Sequence, residues 1–282
     1  MTVLLSLLAA ASYGLSDFNG GWVSKRVSAW TVALAAQAGG VLATLLIALP
    51  SDARPSGTDL AWALLAGLGN GFGTAFLYRG LSTGRMGVVA PVSGVGAAFV
   101  PVVTGVLIGE RPGPIVWLGI ALAFPAIWVV AREPSSSAGG SASAGARASG
   151  FVDGVLAGLG FGTLFVALSR VSEDAGLLPL AVNQAAGGVV IVAVAVALRQ
   201  PWVPREARAA LGLSSGVLAA LATWLFMVAS RGSHLTVASV VVSLYPAFTV
   251  LLAALLLRER VHRAQGVGLA LCAVSVALVA AG

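Results

Sequence analysis

Charge is scarce in this chain. Asp, Glu, Lys and Arg together make up 9% of 282 residues, against roughly 25% in a soluble domain. No soluble fold could hide the apolar surface implied by a hydrophobic content of 58% and a mean hydropathy of +0.97. Cysteine is nearly absent: Cys272 alone, inside an apolar stretch, supports neither a disulfide framework nor a metal site. The two histidines, His234 and His262, stand alone. A membrane enzyme acting on a lipid-linked substrate would need acids or histidines clustered at one membrane face, so the sequence argues against that class. The glycine-rich stretches follow no strand, which argues against a nucleotide site. What charge there is leans basic, with a net +6 and a pI of about 10.7. In a soluble protein that would suggest nucleic acid. Here the basic residues sit singly at the ends of apolar segments, where they anchor membrane helices.

Long apolar runs are abundant. A hydrocarbon core needs about 20 helical residues, or roughly 17 at the short end. Ten segments qualify: 3–23, 30–49, 60–81, 86–108, 115–131, 151–171, 178–198, 211–229, 235–257 and 264–281. The first is read as a helix and not as a cleaved leader. It lacks a basic n-region, and Tyr13-Gly14 has a counterpart in Phe161-Gly162. Residues 133–150 form a Ser/Gly/Ala-rich linker between a first five-helix unit, 1–132, and a second, 151–282. An odd number of helices per unit turns the second copy the other way up in the bilayer, giving an all-α membrane protein with an inverted repeat.

The duplication is visible residue by residue. Phe99 pairs with Phe248, Glu110 with Glu259, Arg111 with Arg260 and Gly119 with Gly268, each 149 positions apart. The first-half run Tyr78-Arg79-Gly80-Leu81-Ser82, Val89-Ala90-Pro91, Gly109-Glu110-Arg111 and Gly119 resembles the EamA-type domain of the drug/metabolite transporter superfamily. The second-half run Ser239, Tyr245-Pro246, Arg258-Glu259-Arg260 and Gln265-Gly266 resembles it too. That resemblance implies two EamA-type repeats making a ten-helix carrier of small organic solutes. The carrier would work by alternating access, with its cavity between the halves. It names no substrate. One departure is plain: where the first half has Tyr78-Arg79, the second has Met227-Val228, so Arg79 has no mate.

Of ten acids, nine fall in loops or at segment ends, and only Asp17 lies well inside a span. A charge there costs ~2.5–3.5 kcal/mol on insertion scales. Asp17 is therefore expected to face the bundle interior as a proton-coupling or substrate-cation site, its bland alternative being a structural bond to Tyr13 or Asn19. Asn70, Thr74 and Tyr78 recur at i, i+4, i+8 and share a helix face, with Arg79 one residue on. Gln37 and Gln184 stand just before the glycine pairs of helices two and seven and are candidates for the same cavity, while Asn183 reads as interhelical glue. Ser93, Trp224, Ser243 and Tyr245 complete the expected lining. Pro91 and Pro246 are expected to break helices four and nine where freed carbonyls face a wet path. Trp30, Trp62, Trp117 and Trp202 lie near span ends and read as interfacial anchors. Glu110 and Glu259 read as capping and pairing groups.

The expected function is secondary active export of a small organic metabolite or drug across the cytoplasmic membrane, with protons as the coupling ion, no catalysis and no cofactor. A channel or receptor-like scaffold is the remaining alternative, and counterflow separates it from a carrier. Orientation is contested within the sequence. Twelve basic residues follow odd-numbered spans and four follow even-numbered ones, which puts the odd loops, and the 133–150 linker, in the cytoplasm. The family resemblance implies the opposite. On the charge bias, a reporter active only in the cytoplasm is expected to be silent after Gly282 and active within 135–150, and the reverse pattern reports the family orientation.

Overall fold

A backbone surrounded by lipid must satisfy its own N–H and C=O groups, and a helix does so within one segment. The chain is accordingly helical, with no strand among the described residues. The structure, a computed structural model, describes residues 1–24, 26–50, 53–82, 86–130, 144–231, 234–256 and 262–282. Its helices are α1 (Thr2–Ser24), α2 (Ala29–Ala48), α3 (Gly57–Ser82), α4 (Met86–Leu107), α5 (Pro114–Val130), α6 (Ala144–Leu168), α7 (Leu178–Ala197), α8 (Gly212–Ala229), α9 (Leu235–Val242), α10 (Tyr245–Leu256) and α11 (Arg263–Ala281).

Seven of the described segments are both long and apolar enough to cross a bilayer: α2, α3, α6, α7, α8 with the 3-10 turn before it, α9 joined to α10, and α11. The other three expected spans fall on α1, α4 and α5. α5 has 17 residues, the short end of a span, and α4 is 22 residues of apolar sequence. α1 is long enough at 23 residues, but Ser12, Tyr13, Ser16, Asp17 and Asn19 dilute its apolarity. α6 begins at Ala144 and so takes up the last residues assigned to the linker. The rest of that linker, and Arg258, Glu259 and Arg260, lie outside the described residues.

Helices in lipid gain nothing from hiding apolar surface from one another, so close approach has to drive association. Here the closest approaches join first-half helices to second-half helices. α3 packs on α6 and α7, α4 on α6 and α9, α1 on α8 and α10, α2 on α7 and α8, and α5 on α11. A Cβ on Gly216 of α8 would collide with the Ala36 carbonyl of α2, and one on Gly67 of α3 would stand 2.6 Å from the Asn183 carbonyl of α7. The outer surface keeps exposed Leu46, Leu107 and Leu255 for lipid. Trp30 corrects the sequence reading: it is buried with Ala33, Ala75 and Ile191, so it packs the core and is no interfacial anchor.

Caps secure the helix ends. Ser56 and Asp59 make a reciprocal box at the start of α3. The Ser56 N–H donates to Asp59 Oδ2 at 2.9 Å and the Asp59 N–H to Ser56 Oγ at 3.1 Å. Asp59 Oδ1 also accepts the Ser172 N–H at 2.8 Å, tying α3 to the turn after α6. Glu110 caps at long range: its Oε1 accepts the Leu235 N–H at 2.7 Å and its Oε2 the Thr236 N–H at 2.9 Å. A buried carboxylate on two orphan donors at the positive end of α9 suits both the hydrogen bonding and the helix dipole.

The prolines behave unequally. α4 runs unbroken through Pro91 and Pro101, against the expected interruption at Pro91. The second-half run does break, at Ser243-Leu244, two residues before Pro246. Pro246 has no N–H to offer the carbonyl four residues earlier. Glu110→Ala would leave two N–H groups unpaired, and it is expected to lower stability by about 2 kcal/mol, read as a lower melting temperature of the purified protein in detergent.

Candidate solute cavity

The two halves do not close completely on each other. Between them lies a cavity of about 90 Å³, bordered by α1, α2, α3, α4, α6, α7, α8 and α10. The i, i+4, i+8 stripe of α3 delivers Asn70, Thr74 and Tyr78 to its wall. Asn70 Nδ2 donates to Gln184 Oε1 at 3.0 Å and reaches Gln37 Oε1 at 3.4 Å, so one amide bridges α2 and α7. Thr74 Oγ1 in turn lies 3.4 Å from Asn70 Oδ1. The two glutamines are held reciprocally. Gln184 fills the space beside Gly40, and Gln37 the space beside Gly187.

A second polar chain starts on α1. Thr223 Oγ1 donates to the Ala219 carbonyl at 2.6 Å, which spends its only proton, so the Tyr13 hydroxyl, 2.8 Å from Thr223 Oγ1, is the donor of that pair. Ser16 Oγ donates to the Ser215 carbonyl at 2.9 Å. Asn19 Nδ2 donates to Ser214 Oγ and Ser215 Oγ at 2.8 and 2.9 Å. The Tyr13 ring tilts against Tyr245 and Phe165, each with centroids 6.3 Å apart.

Asp17 lies among these groups and is used by none of them. Tyr13 bonds Thr223 and Asn19 bonds Ser214 and Ser215, so neither holds its carboxylate, and among the described residues no cation pairs with it. Tyr13, Tyr78 and Tyr245 line the same cavity.

Other expected lining residues sit elsewhere. Arg79 points away from the cavity: its Nε donates to Asp153 Oδ1 at 2.9 Å, its Nη2 meets the same oxygen, and its guanidinium stacks 4.5 Å from the Phe76 ring. Asp153 thus corrects the sequence reading of the acids. It is a second carboxylate inside a helix, its side chain 1% exposed, already neutralised by Arg79. Trp224 is exposed on the outer surface, and its neighbour Thr223 faces the cavity instead. Ser93 is buried outside the lining and hydrogen-bonds Tyr245. Ser243 is buried at the helix break with its hydroxyl unpartnered, beside buried Pro246. Asn183, expected as glue, is fully buried with neither amide atom partnered. Tyr13, Ser16, Thr223, Phe161 and Phe165 line the cavity without having been singled out. Repeat arithmetic could have found two of them: Thr223 lies 149 positions after Thr74, and Phe165 lies 148 positions after Asp17.

The model of the EamA-like transporter family matches residues 1–132 and 148–281. The chain belongs to this family. A crystal structure superposes on the EamA-like chain with a TM-score of 0.72 at 18% identity, covering 98% of this chain and 94% of the other, which establishes a shared fold. No curated protein matches the chain. The family and the apolar helices together make it a multi-pass membrane protein of a transporter family.

Within this EamA-like protein the Arg79–Asp153 pair is structural, joining α3 to α6. Asp153→Asn is expected to cost about 2 kcal/mol in a detergent melt. That is below the ~3–5 kcal/mol of a fully buried pair, because Arg79 is 32% exposed and solvent screens what remains. Replacing both partners with apolar residues is expected to restore most of the loss.

Proposed function

We propose that this protein is a secondary active carrier that exports a small organic solute across the cytoplasmic membrane in exchange for protons, with Asp17 as the coupling group. Ten spans in two inverted five-helix repeats, rocking about the cavity, would expose it to each side in turn. The observation that carries the reading is a lone carboxylate, Asp17, facing a largely apolar cavity between the halves with no cation among the described residues to neutralise it. A residue so costly to insert is retained for function by default, and a carboxylate is able to take a proton on one side and release it on the other. The family supports transport, and the Gln37–Asn70–Gln184 bridge supports a cavity that recognises its solute by hydrogen bonds. Reciprocal contacts of Gly40 with Gln184 and of Gly187 with Gln37 support two halves moving about the same site.

The test uses proteoliposomes with an acidic interior and, outside, an isotope-labelled extract of cell metabolites, identified by mass spectrometry after uptake. The parent protein is expected to concentrate one or a few solutes beyond protein-free vesicles. Asp17→Asn is expected to exchange the same solutes when the vesicles are preloaded at concentrations high enough to offset weaker binding, but to lose accumulation driven by the pH gradient. A variant that accumulates solute as the parent does, with the same response to the gradient, overturns the coupling role. Absence of exchange in the parent overturns the carrier reading.

A further inference from the structure

The chemistry around Asp17 also limits the solute. The cavity wall carries a carboxylate and no lysine, arginine or histidine among the described residues. Arg79, half-buried and next to Tyr78 in α3, is committed to Asp153. A lone anionic group in a low-dielectric cavity draws cations and repels anions. The groups around it reinforce that choice, since Tyr13, Tyr78 and Tyr245 line the same cavity as Asp17, and the face of an aromatic ring attracts a cation.

The duplication places the rest of the solute. Aligning Tyr13-Gly14 with Phe161-Gly162 sets Ser16 against Leu164 and Asp17 against Phe165, and all four of these latter residues line the cavity. Asn70 has its counterpart 149 positions on in Ala219, which also lines it. At three duplicated wall positions, then, the first half is polar or charged and the second apolar. A symmetric solute would suit two equal walls. These unequal walls suit one with a single cationic end and an apolar body.

Resting on the carrier reading above, we infer that the cavity takes an organic amine or quaternary ammonium ion with an apolar body, its cation against Asp17 and the tyrosines, its body against Phe161, Leu164 and Phe165. The neighbouring amides Gln37, Asn70 and Gln184 remain for a polar substituent.

The test is equilibrium dialysis of the purified full chain in nonionic detergent with probes matched in shape but not in charge: 2-phenylethylammonium, 2-phenylethanol and phenylacetate, with benzyltrimethylammonium as a permanently charged cation. The two cations are expected to bind at least about tenfold more tightly than the alcohol or the anion. Asp17→Asn is expected to lose that preference while Asp17→Glu keeps it, and unchanged melting temperatures show that both variants are folded. Equal or tighter binding of the alcohol or phenylacetate, or a preference that survives Asp17→Asn, overturns the inference. Its failure is separable from that of the carrier reading. Asp17-dependent cation binding without counterflow in proteoliposomes sinks the carrier and leaves the amine site. Counterflow confined to neutral or anionic solutes leaves the carrier and sinks the amine site.

Discussion

Every polar group held in hydrocarbon must find a partner inside the protein, and nearly every feature of this molecule follows from how that requirement is met. The backbone meets it by remaining helical. Helix ends meet it with caps, some local, as at Ser56 and Asp59, and one remote, as where Glu110 closes the start of α9. Side chains meet it in two ways. Some donate back to their own helix, as Thr44 does to Gly40 and Ser6 to Thr2. Others cross to the facing half, as Ser275 does to the Gly119 carbonyl at 2.8 Å. Charges meet it by pairing, as Asp153 does with Arg79.

Against that background the unpaired groups stand out. Asp17 faces the cavity with no cation partner among the described residues, and the buried hydroxyl of Ser243 marks a helix run that breaks beside a proline. The polar cost of α1, which dilutes it below ordinary membrane-helix apolarity, is confined to residues such as Tyr13, Ser16, Asp17 and Asn19 that face α8 or the cavity. Small residues make this geometry attainable. Because Gly39, Gly67 and Gly216 let backbones of opposite halves nearly touch, the helices converge tightly around a small void instead of around a core of large side chains.

How much of this could be read beforehand follows from the range of each interaction. Apolar content, the length of the spans, the duplication and the family motifs are local in sequence, so they determined a helical membrane protein built from two similar halves. Helical periodicity is local too, and it put Asn70, Thr74 and Tyr78 on one wall before any tertiary contact was known. Asp17 was legible because its cost is paid by its own span. What only the tertiary structure decided depends on which helix lies opposite. Arg79 looked like a cavity residue until Asp153, 74 positions away, took its charge. Trp30 looked like an anchor until α7 covered it, and Trp224 and Thr223, adjacent in sequence, were separated by a rotation of α8 that sends one to lipid and the other to the cavity. A sequence states the cost of burying a group, but the partner that offsets it belongs to another helix, and only packing brings the two together.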